Sequence, residues 1–128
     1  MKRHLLLLLL SFPLLFSCGK AIHIKTPDLF LDGTAQTKNI ETTCCIFRLT
    51  VYEWSFDENG ELKRNERANK DFGEHCKGDW FDVEIDKNNR YNAILTVSEN
   101  KSGYTRKLTI CAEDEGKGAA IHITQKSL

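Results

Sequence analysis

Two acidic residues come closest to a catalytic arrangement in this sequence. Asp82 and Glu84 lie two positions apart in a predicted strand, on the face that also carries Trp80, so they could serve as a general acid and base. Acidic residues on an exposed strand are usually solvated surface, and the histidines are dispersed at His4, His23, His75 and His122. The sequence has no nucleophile elbow, zinc-protease motif or phosphate-binding glycine loop. We therefore predict neither an enzyme nor a bound cofactor.

Four cysteines follow Cys18 and raise the question of disulfide chemistry. An even number in an exported domain predicts two bridges. A bridge between the adjacent Cys44 and Cys45 would need a strained ring, which leaves two connectivities. Strand parity favours Cys44 with Cys111 and Cys45 with Cys76, whereas thiols that pack as small hydrophobic side chains are the alternative. Paired Cys-x-x-Cys spacing is missing, so no metal site is predicted.

Four aromatic residues are candidates for ligand binding. A sugar presents an apolar C–H face with a polar rim, which suits a flat aromatic ring beside hydrogen-bond donors and acceptors. The predicted strands and turns direct four such side chains outward: Trp54, Trp80, Tyr91 and Tyr104. The alternative for each is a ring packed on the rim of the domain or beneath a loop.

Apolar residues recur with a period of two along the chain, which predicts that strands carry these candidate residues. One strand is predicted to turn Cys45, Phe47, Leu49 and Val51 to the core. Later alternating segments begin at Phe81, Ala93, Leu108 and Ala119, with turn residues between them. Residues 57–60 are a turn signature, after which residues 61–63 are predicted to start back as a hairpin. The segment that follows is polar and without either periodicity, and residues 57–79 together are predicted to be a long polar loop. We predict one all-β domain, an antiparallel sandwich of about seven strands.

The N-terminal segment predicts export. Lys2 and Arg3 precede an apolar run from Leu5 to Phe16, which Pro13 interrupts. This run is too short to span about 30 Å of hydrocarbon, so residues 1–17 are predicted to be a signal peptide.

The charge pattern bears on possible partners. The whole chain has a formal net charge of +0, and the signal contributes only positive residues, so the mature part is slightly acidic. Lys and Arg alternate with Asp and Glu and form no basic patch, which argues against a nucleic-acid partner.

The end of the signal segment carries a family resemblance. The run Leu15-Phe16-Ser17-Cys18 resembles the lipobox of bacterial lipoproteins, whose cysteine thiol receives a diacylglycerol. The resemblance implies a lipid anchor on Cys18, and more than one acyl chain holds a protein stably on a membrane. Residues 18–27 are predicted to be a tether, in which residues 21–24 could form a first edge strand that Pro27 ends. Gly19 is not the Asp associated with inner-membrane retention, and an acidic surface-export cluster is missing. The predicted location is the outer membrane, facing the periplasm, with exposure at the cell surface as the alternative.

The second half of the chain carries another resemblance. A Trp opens one strand, an Arg opens a later one, and Ile-x-Ile-Thr-Gln closes the chain, in the segments Trp80–Val83, Ala93–Asn100, Gly103–Ile110 and Ile121–Gln125. This order resembles the BACON family (Bacteroidetes-associated carbohydrate-binding, often N-terminal). The resemblance implies an immunoglobulin-like β-sandwich over residues 28–128, a carbohydrate ligand, and a Trp80 that closes one end of the core. The long loop and the four cysteines depart from the family pattern.

These features predict a non-catalytic, lipid-anchored binding module of the cell envelope that contacts a protein partner or a glycan. A structural or assembly lipoprotein, whose exposed sheet edges pair with another envelope protein, is the alternative. A protease-inhibitor-like module with a disulfide-pinned loop is the third hypothesis.

Overall fold

The computed structural model describes residues 21–56, 59, 61–65 and 72–128, a part of the chain that contains strands and no α-helix. Seven of its ten strands have four residues or more, close to the number predicted. In chain order the strands are β1 (Leu29–Leu31), β2 (Gln36–Glu41), β3 (Arg48–Phe56), β4 (Leu62–Asn65), β5 (Phe72–Gly73), β6 (His75–Lys77), β7 (Phe81–Ile85), β8 (Asn92–Val97), β9 (Arg106–Asp114) and β10 (Lys117–Gln125).

The strands form two sheets. The first sheet has the order β1-β10-β9-β3-β4, with β5 also paired to β3, and the second has the order β2-β8-β7-β6. Strand β1 runs parallel to β10, and the other pairs are antiparallel. Two such sheets packed face to face make an immunoglobulin-like β-sandwich. The predicted all-β fold class is confirmed.

Alternating apolar residues fill the space between the sheets. Every second residue of β7 and β8 points inward, and the longer strands β3, β9 and β10 turn their own apolar sets toward them. Burial of one Val, Leu or Ile side chain contributes about 1.5–3 kcal/mol. The prediction of inward residues is confirmed for Leu49, Val51, Phe81, Val83, Ile85, Ala93, Leu95, Val97, Leu108, Ile110, Ala112, Ile121 and Ile123.

The predicted alternation is wrong before the start of β3. The strand begins only at Arg48, and in the irregular segment before it Ile46 is buried, whereas Cys45 and Phe47 are exposed. The Phe47 N–H donates to the Glu113 carbonyl (2.8 Å), and Arg48 is paired with the same residue. Two residues therefore lie opposite one, as in a β-bulge, and the side-chain alternation shifts at this point.

The polar segment predicted as one loop at 57–79 is also different. Strand β4 returns beside β3, with Leu62 opposite Phe56, and the short strands β5 and β6 pair with β3 and β7. Strand β4 confirms the hairpin return predicted at residues 61–63, whereas the prediction of a loop is wrong for β5 and β6. Residues 57–58 and 60 of the predicted turn, and residues 66–71, lie outside the described residues.

The chain joins the sandwich earlier than the predicted tether allows. Ile22 is buried in the core, and Ile24 forms a bridge with Thr42. The Lys25 N–H donates to the Glu41 carbonyl (2.7 Å), at the end of β2. From Ile22 onward the predicted tether is therefore part of the folded domain.

The strands of the sandwich run between two ends. We call proximal the end formed by residues 42–47, 86–91 and 114–117, where Ile46 N–H donates to the Arg90 carbonyl (2.8 Å). We call distal the end formed by residues 32–34, 98–105 and 127–128. There the Asn100 N–H donates to the Gly33 carbonyl (2.8 Å) and the Leu128 N–H donates to the Asn100 carbonyl (2.9 Å).

Candidate functional site

A hydrogen-bonded row of side chains crosses the outer face of the first sheet. The Trp54 indole N–H donates to the Thr109 hydroxyl (Nε1–Oγ1 2.9 Å), and that hydroxyl lies 3.1 Å from His122 Nδ1. Thr109 is almost fully buried, Trp54 is half-buried and His122 is exposed. The row therefore holds the indole ring in a fixed place on the open side of the sheet.

The register of three strands brings this row together. Thr109 of β9 is directly opposite Tyr52 of β3 and His122 of β10, so the three share one face of the sheet. Trp54 belongs to the next row toward the distal end, opposite Lys107. The backbone of His122 is held in turn by the Asp28 carboxylate, which accepts from its N–H (Oδ1–N 2.9 Å).

A shallow cleft of about 270 Å³ lies over these rows. Its walls combine an aromatic ring, an aliphatic side chain, a cation and two hydroxyls. The lining residues are Trp54, Leu62, Lys107, Leu108, Thr109, His122, Ile123 and Thr124. We call this the Trp54 cleft. A mostly apolar concavity with a few convergent polar groups is what a small-molecule or sugar site requires.

A second depression on the same face lies toward the proximal end. It has a volume of about 320 Å³, and half of the residues that line it are glycine or alanine. It is lined by Arg48, Cys111, Glu113, Gly116, Lys117, Gly118, Ala119 and Ala120. Arg48 and Glu113 form an ion pair across its edge.

Trp80, predicted to point outward, is buried with only 7% of its surface exposed. Its indole N–H donates to the Glu53 carboxylate (Nε1–Oε1 2.8 Å), and Arg106 Cζ lies 4.5 Å from the ring centroid. Phe81 packs edge-on against it, with ring centroids 5.4 Å apart. Trp80 lies before the start of β7 and does not follow the alternation of that strand. The prediction that it shares the outward face of Asp82 is therefore wrong. The part of Trp80 in closing the core is what the family resemblance implied.

Arg106 is the cation over that ring. Burial lowers the pKa of its guanidinium, and the nearby Glu53 carboxylate opposes the shift. The guanidinium also donates to the Gln125 side chain (Nη2–Oε1 2.9 Å), and Gln125 is fully buried. The Arg that opens a strand and the closing Gln of the sequence thus meet at the distal end, where Gln125 is fully buried and Arg106 is half-buried.

The two predicted tyrosines do not join Trp54. Tyr91 is 47% exposed at the proximal end, and Tyr104 is 72% exposed in the distal loop at 98–105. Both face outward as predicted, but they lie at opposite ends of the sandwich. Trp54 is the one predicted ligand-binding aromatic that lines a cleft with polar neighbours.

The predicted disulfides are not formed. No bridge joins any two of the four cysteines, all of which lie in the described part of the chain. Cys45 is exposed at the proximal end, whereas Cys76 is buried in the core, where its Sγ contacts the Leu49 carbonyl (3.7 Å). The shift before β3 turned Cys45 outward and separated these two thiols.

Cys44 and Cys111, the other predicted pair, are not joined either. Cys111 faces outward on β9, opposite Thr50, as its parity indicated. Cys44 lies in the irregular segment before β3 and packs against the edge of the core. Burial, with a smaller contribution from Glu113, raises the pKa of the Cys111 thiol.

The acidic pair on β7 has a structural partner. His75 of β6 contacts Asp82 (Nε2–Oδ1 2.8 Å), because β6 and β7 pair side by side. Trp80 does not share their face. Among the described residues, no group of three His, Cys, Asp or Glu side chains is placed to hold a metal ion.

Sequence reasoning predicted only Trp54 among the lining residues of the cleft, and the polar ones that it missed are Lys107, Thr109, His122 and Thr124. A signal for them was available. The turn at residues 114–117 fixes the register of β9 against β10, and a period of two then places Lys107 and Thr109 on the outer face with His122 and Thr124.

No protein-family model and no curated protein matches the chain. Three solved structures are similar to it. A protein from Bacteroides thetaiotaomicron, solved by NMR, is 12% identical with a TM-score of 0.56, over 86% of this chain and 90% of that one. A Bacteroides ovatus xyloglucanase, in complex with a heptasaccharide, is 13% identical with a TM-score of 0.46, over 84% of this chain and 19% of that one. Titin domain M7 is 12% identical with a TM-score of 0.47, over 84% of this chain and 93% of that one.

At this level of identity a likeness concerns the fold alone. The described part of the chain contains no helix of the length and hydrophobicity needed to cross a membrane.

Proposed function

We propose that this protein is a non-catalytic, lipid-anchored module of the cell envelope that binds a glycan in the Trp54 cleft. The observation that carries the proposal is the fixed indole ring: Trp54 is held by Thr109 (2.9 Å) on an open sheet face, beside a concave surface with polar side chains. An aromatic ring that is already in place loses little conformational entropy when a ligand stacks on it.

The polar groups around the ring suit a sugar better than a purely apolar ligand. Lys107 supplies N–H donors, and Thr124 supplies a hydroxyl that both donates and accepts. Because His122 contacts Thr109 through Nδ1, its Nε2 is directed away from that hydrogen bond. A pyranose hydroxyl that reaches any of these groups would make a hydrogen bond while the C–H face of the sugar stacks on Trp54.

The cleft volume limits what can bind. About 270 Å³ lies at the lower end of ligand pockets, so one sugar ring fills it and the rest of an oligosaccharide extends over the sheet. The resemblance of Leu15-Phe16-Ser17-Cys18 to a lipobox supports the anchor, and the resemblance to the BACON family supports a carbohydrate ligand.

A glycan panel tests the proposal directly. The domain from Gly19 to Leu128 is titrated with soluble oligosaccharides, and the same titrations are made with Trp54→Ala. Saturable binding that is lost in a folded Trp54→Ala variant is expected. Tyr104→Ala is the matched control, because it removes an exposed aromatic ring from outside the cleft. Binding that survives Trp54→Ala, or silence across the panel at millimolar sugar, would contradict a glycan site here.

A protein partner is the second candidate, and the apolar rim of the cleft favours it. Phe30 is 79% exposed and lies opposite Thr124, which lines the cleft, and Leu62 is exposed on its other side. Exposed aromatic and aliphatic side chains of this kind form the centres of protein interfaces. Cross-linking in the envelope with Phe30→Ser and Leu62→Ser decides this candidate: a lost cross-link with glycan binding unchanged would support it.

A further inference from the structure

The proximal end exposes two aromatic rings that the proposed function does not use. Phe47 is 67% exposed and Tyr91 is 47% exposed. The segments that carry them are joined by backbone hydrogen bonds from Ile46 to the Arg90 carbonyl and from Thr42 to the Tyr91 carbonyl, each 2.8 Å long. The two rings therefore belong to one small surface, which we call the proximal surface.

The chain enters the sandwich at this same surface. Ile22 is buried in the core, and the Thr43 N–H donates to the His23 carbonyl (2.9 Å), one residue from the hydrogen bond that joins Thr42 to Tyr91. The four residue steps from Cys18 to Ile22 span at most about 14 Å when fully extended. A lipid on Cys18 would therefore hold the proximal surface within a short distance of the bilayer.

We propose that the proximal surface rests on the phospholipid bilayer to which the chain is anchored, with Phe47 and Tyr91 in the headgroup region. This inference rests on the lipid anchor of the proposed function, and it goes beyond it by fixing which end of the domain touches the membrane. Tyr91 has an apolar ring with a polar hydroxyl, which is favoured at a membrane interface, where water and acyl chains meet. Phe47 has a purely apolar ring, which is buried at the boundary of headgroups and acyl chains.

The charges near the proximal surface offer no positive patch to an anionic membrane. Three ion pairs surround the surface: Lys25 with Glu41, Arg48 with Glu113, and Arg90 with Glu74. Each pair brings one positive and one negative charge, so these six groups add no net charge. The other charged residues of the proximal end add one negative charge: Asp86, Lys87, Asp114, Glu115 and Lys117. The contact should then depend on burial of Phe47 and Tyr91 more than on anionic lipid.

This orientation directs the Trp54 cleft away from the membrane. Trp54 lies six residues along β3 from Arg48, which corresponds to roughly 20 Å of strand. Both native tryptophans belong to the distal half, because Trp54 is opposite Lys107 and the Ser98 N–H donates to the Trp80 carbonyl (2.9 Å). Their fluorescence consequently serves as an internal reference for depth.

Fluorescence quenching by brominated lipid tests the orientation. The full-length lipidated protein is reconstituted in vesicles of phosphatidylethanolamine and phosphatidylglycerol with brominated acyl chains. In Phe47→Trp and in Tyr91→Trp, the added indole should lose emission intensity relative to unbrominated vesicles. In both kinds of vesicle its emission should lie to the blue of the same variant of the unlipidated domain in buffer. The wild-type protein, whose tryptophans are distal, should show little loss.

The matched control is Phe30→Trp. Phe30 is at least as exposed as Phe47, but it lies at the level of Thr124 toward the distal end, so an indole there should stay unquenched. Equal quenching of Phe30→Trp, Phe47→Trp and Tyr91→Trp in protein that floats with the vesicles would overturn the orientation and leave the anchor intact. Flotation of Cys18→Ser tests the anchor separately: if that variant floats as the wild type does, the anchor on Cys18 is wrong.

Discussion

Both tryptophans donate a hydrogen bond through Nε1, but their surroundings differ. Trp80 donates to Glu53 from inside the core, beneath Arg106, whereas Trp54 donates to Thr109 on the outer face of a sheet. The first ring is covered on its sides by protein, and the second is open to solvent over part of its surface. The same residue type therefore belongs to the core in one case, and in the other it is the ring of the proposed glycan site.

Substitution of each ring should show which tryptophan contributes more to stability. Trp80→Ala leaves a cavity and removes one hydrogen-bond donor from Glu53, and we expect it to lower the free energy of unfolding by about 3–5 kcal/mol. Trp54→Ala removes a half-buried ring, and a loss of about 1 kcal/mol is expected, typical of a point substitution. Equilibrium urea unfolding followed by circular dichroism measures both. Similar losses in the two variants would show that Trp54 is also a core residue.

The thiols should react in a definite order. Cys45 is exposed and is expected to be alkylated first, and Cys76 is buried and should react only when the domain unfolds. Burial raises the pKa of Cys111, so less of it is thiolate at a given pH and its reaction should begin at a higher pH than that of an unshifted thiol. Pulsed alkylation over a pH series, read by peptide mass spectrometry, checks this order. Cys45→Ser is the control that should remove the fastest phase and leave the others unchanged.

Single-residue burial was predictable where a strand is regular. The inward set of β8, Ala93, Leu95 and Val97, follows from a strict period of two. The positions of Phe47 and Trp80 do not, because each lies just outside a strand, where the backbone turns and parity no longer determines direction. The Trp54 cleft was half predictable for the same reason: Trp54 faces outward within β3, but its partners come from register across three strands.

At the scale of elements, the hairpin of β9 and β10 determines the candidate site. Its turn has positive φ at both central residues, 43° at Glu115 and 82° at Gly116, the conformation of a type I′ turn. This turn matches the twist of the two strands and fixes Thr109 opposite His122. A slip of one residue would move the polar row to the core face.

The two turn positions should respond in opposite directions to substitution. Glu115→Asn places a residue that tolerates positive φ, and we expect a gain in the free energy of unfolding of about 0.5–1 kcal/mol. Gly116→Ala places a Cβ at a positive φ and should cost about 1–2 kcal/mol, although no atom lies within 4 Å of that Cβ. Thermal unfolding of the two variants measures the shifts. A loss of stability in Glu115→Asn would mean that the glutamate makes a compensating contact.

Two of the strands could not be predicted. Strands β5 and β6 have two and three residues, too few to show a period, and they lie in a polar segment. They form because the edges of β3 and β7 offer backbone partners to whatever chain passes beside them. The longer strands follow from their own sequence, and these short ones follow from tertiary pairing.

At the scale of the whole molecule, the first residues of the folded domain belong to its core. Ile22 is buried, and the segment after it hydrogen bonds along the end of β2. The predicted domain boundary at residue 28 would cut through this packing. The proximal end thus depends on residues that the sequence assigned to a tether.

Shortening the N-terminus should reveal that dependence. A domain that begins at Pro27 is expected to be less stable than one that begins at Gly19, because it exposes the apolar surface that Ile22 covers. Ile22→Ala in the longer domain should itself cost about 2–5 kcal/mol. His23→Ala is the matched control, because the His23 side chain is next to Ile22 in the sequence but is exposed, so its removal should change stability little. Equal unfolding midpoints for the two lengths would place the boundary at residue 27 after all.

The parallel pair of β1 and β10 has a mechanical consequence. Load from the proposed anchor would enter at Ile22 on the proximal end and pass along the chain into β1, while load from a ligand in the proposed site would act on the outer face of β10 and its neighbours. These opposed forces would slide β1 lengthwise against β10, at the register that joins Leu29 to Ile123 and Leu31 to Gln125. The backbone hydrogen bonds of that pair would then be strained together and would not open one after another, as they do when a hairpin is peeled apart. Tension between an anchor and a ligand would therefore be resisted in shear, the geometry in which a few strand residues withstand the most force.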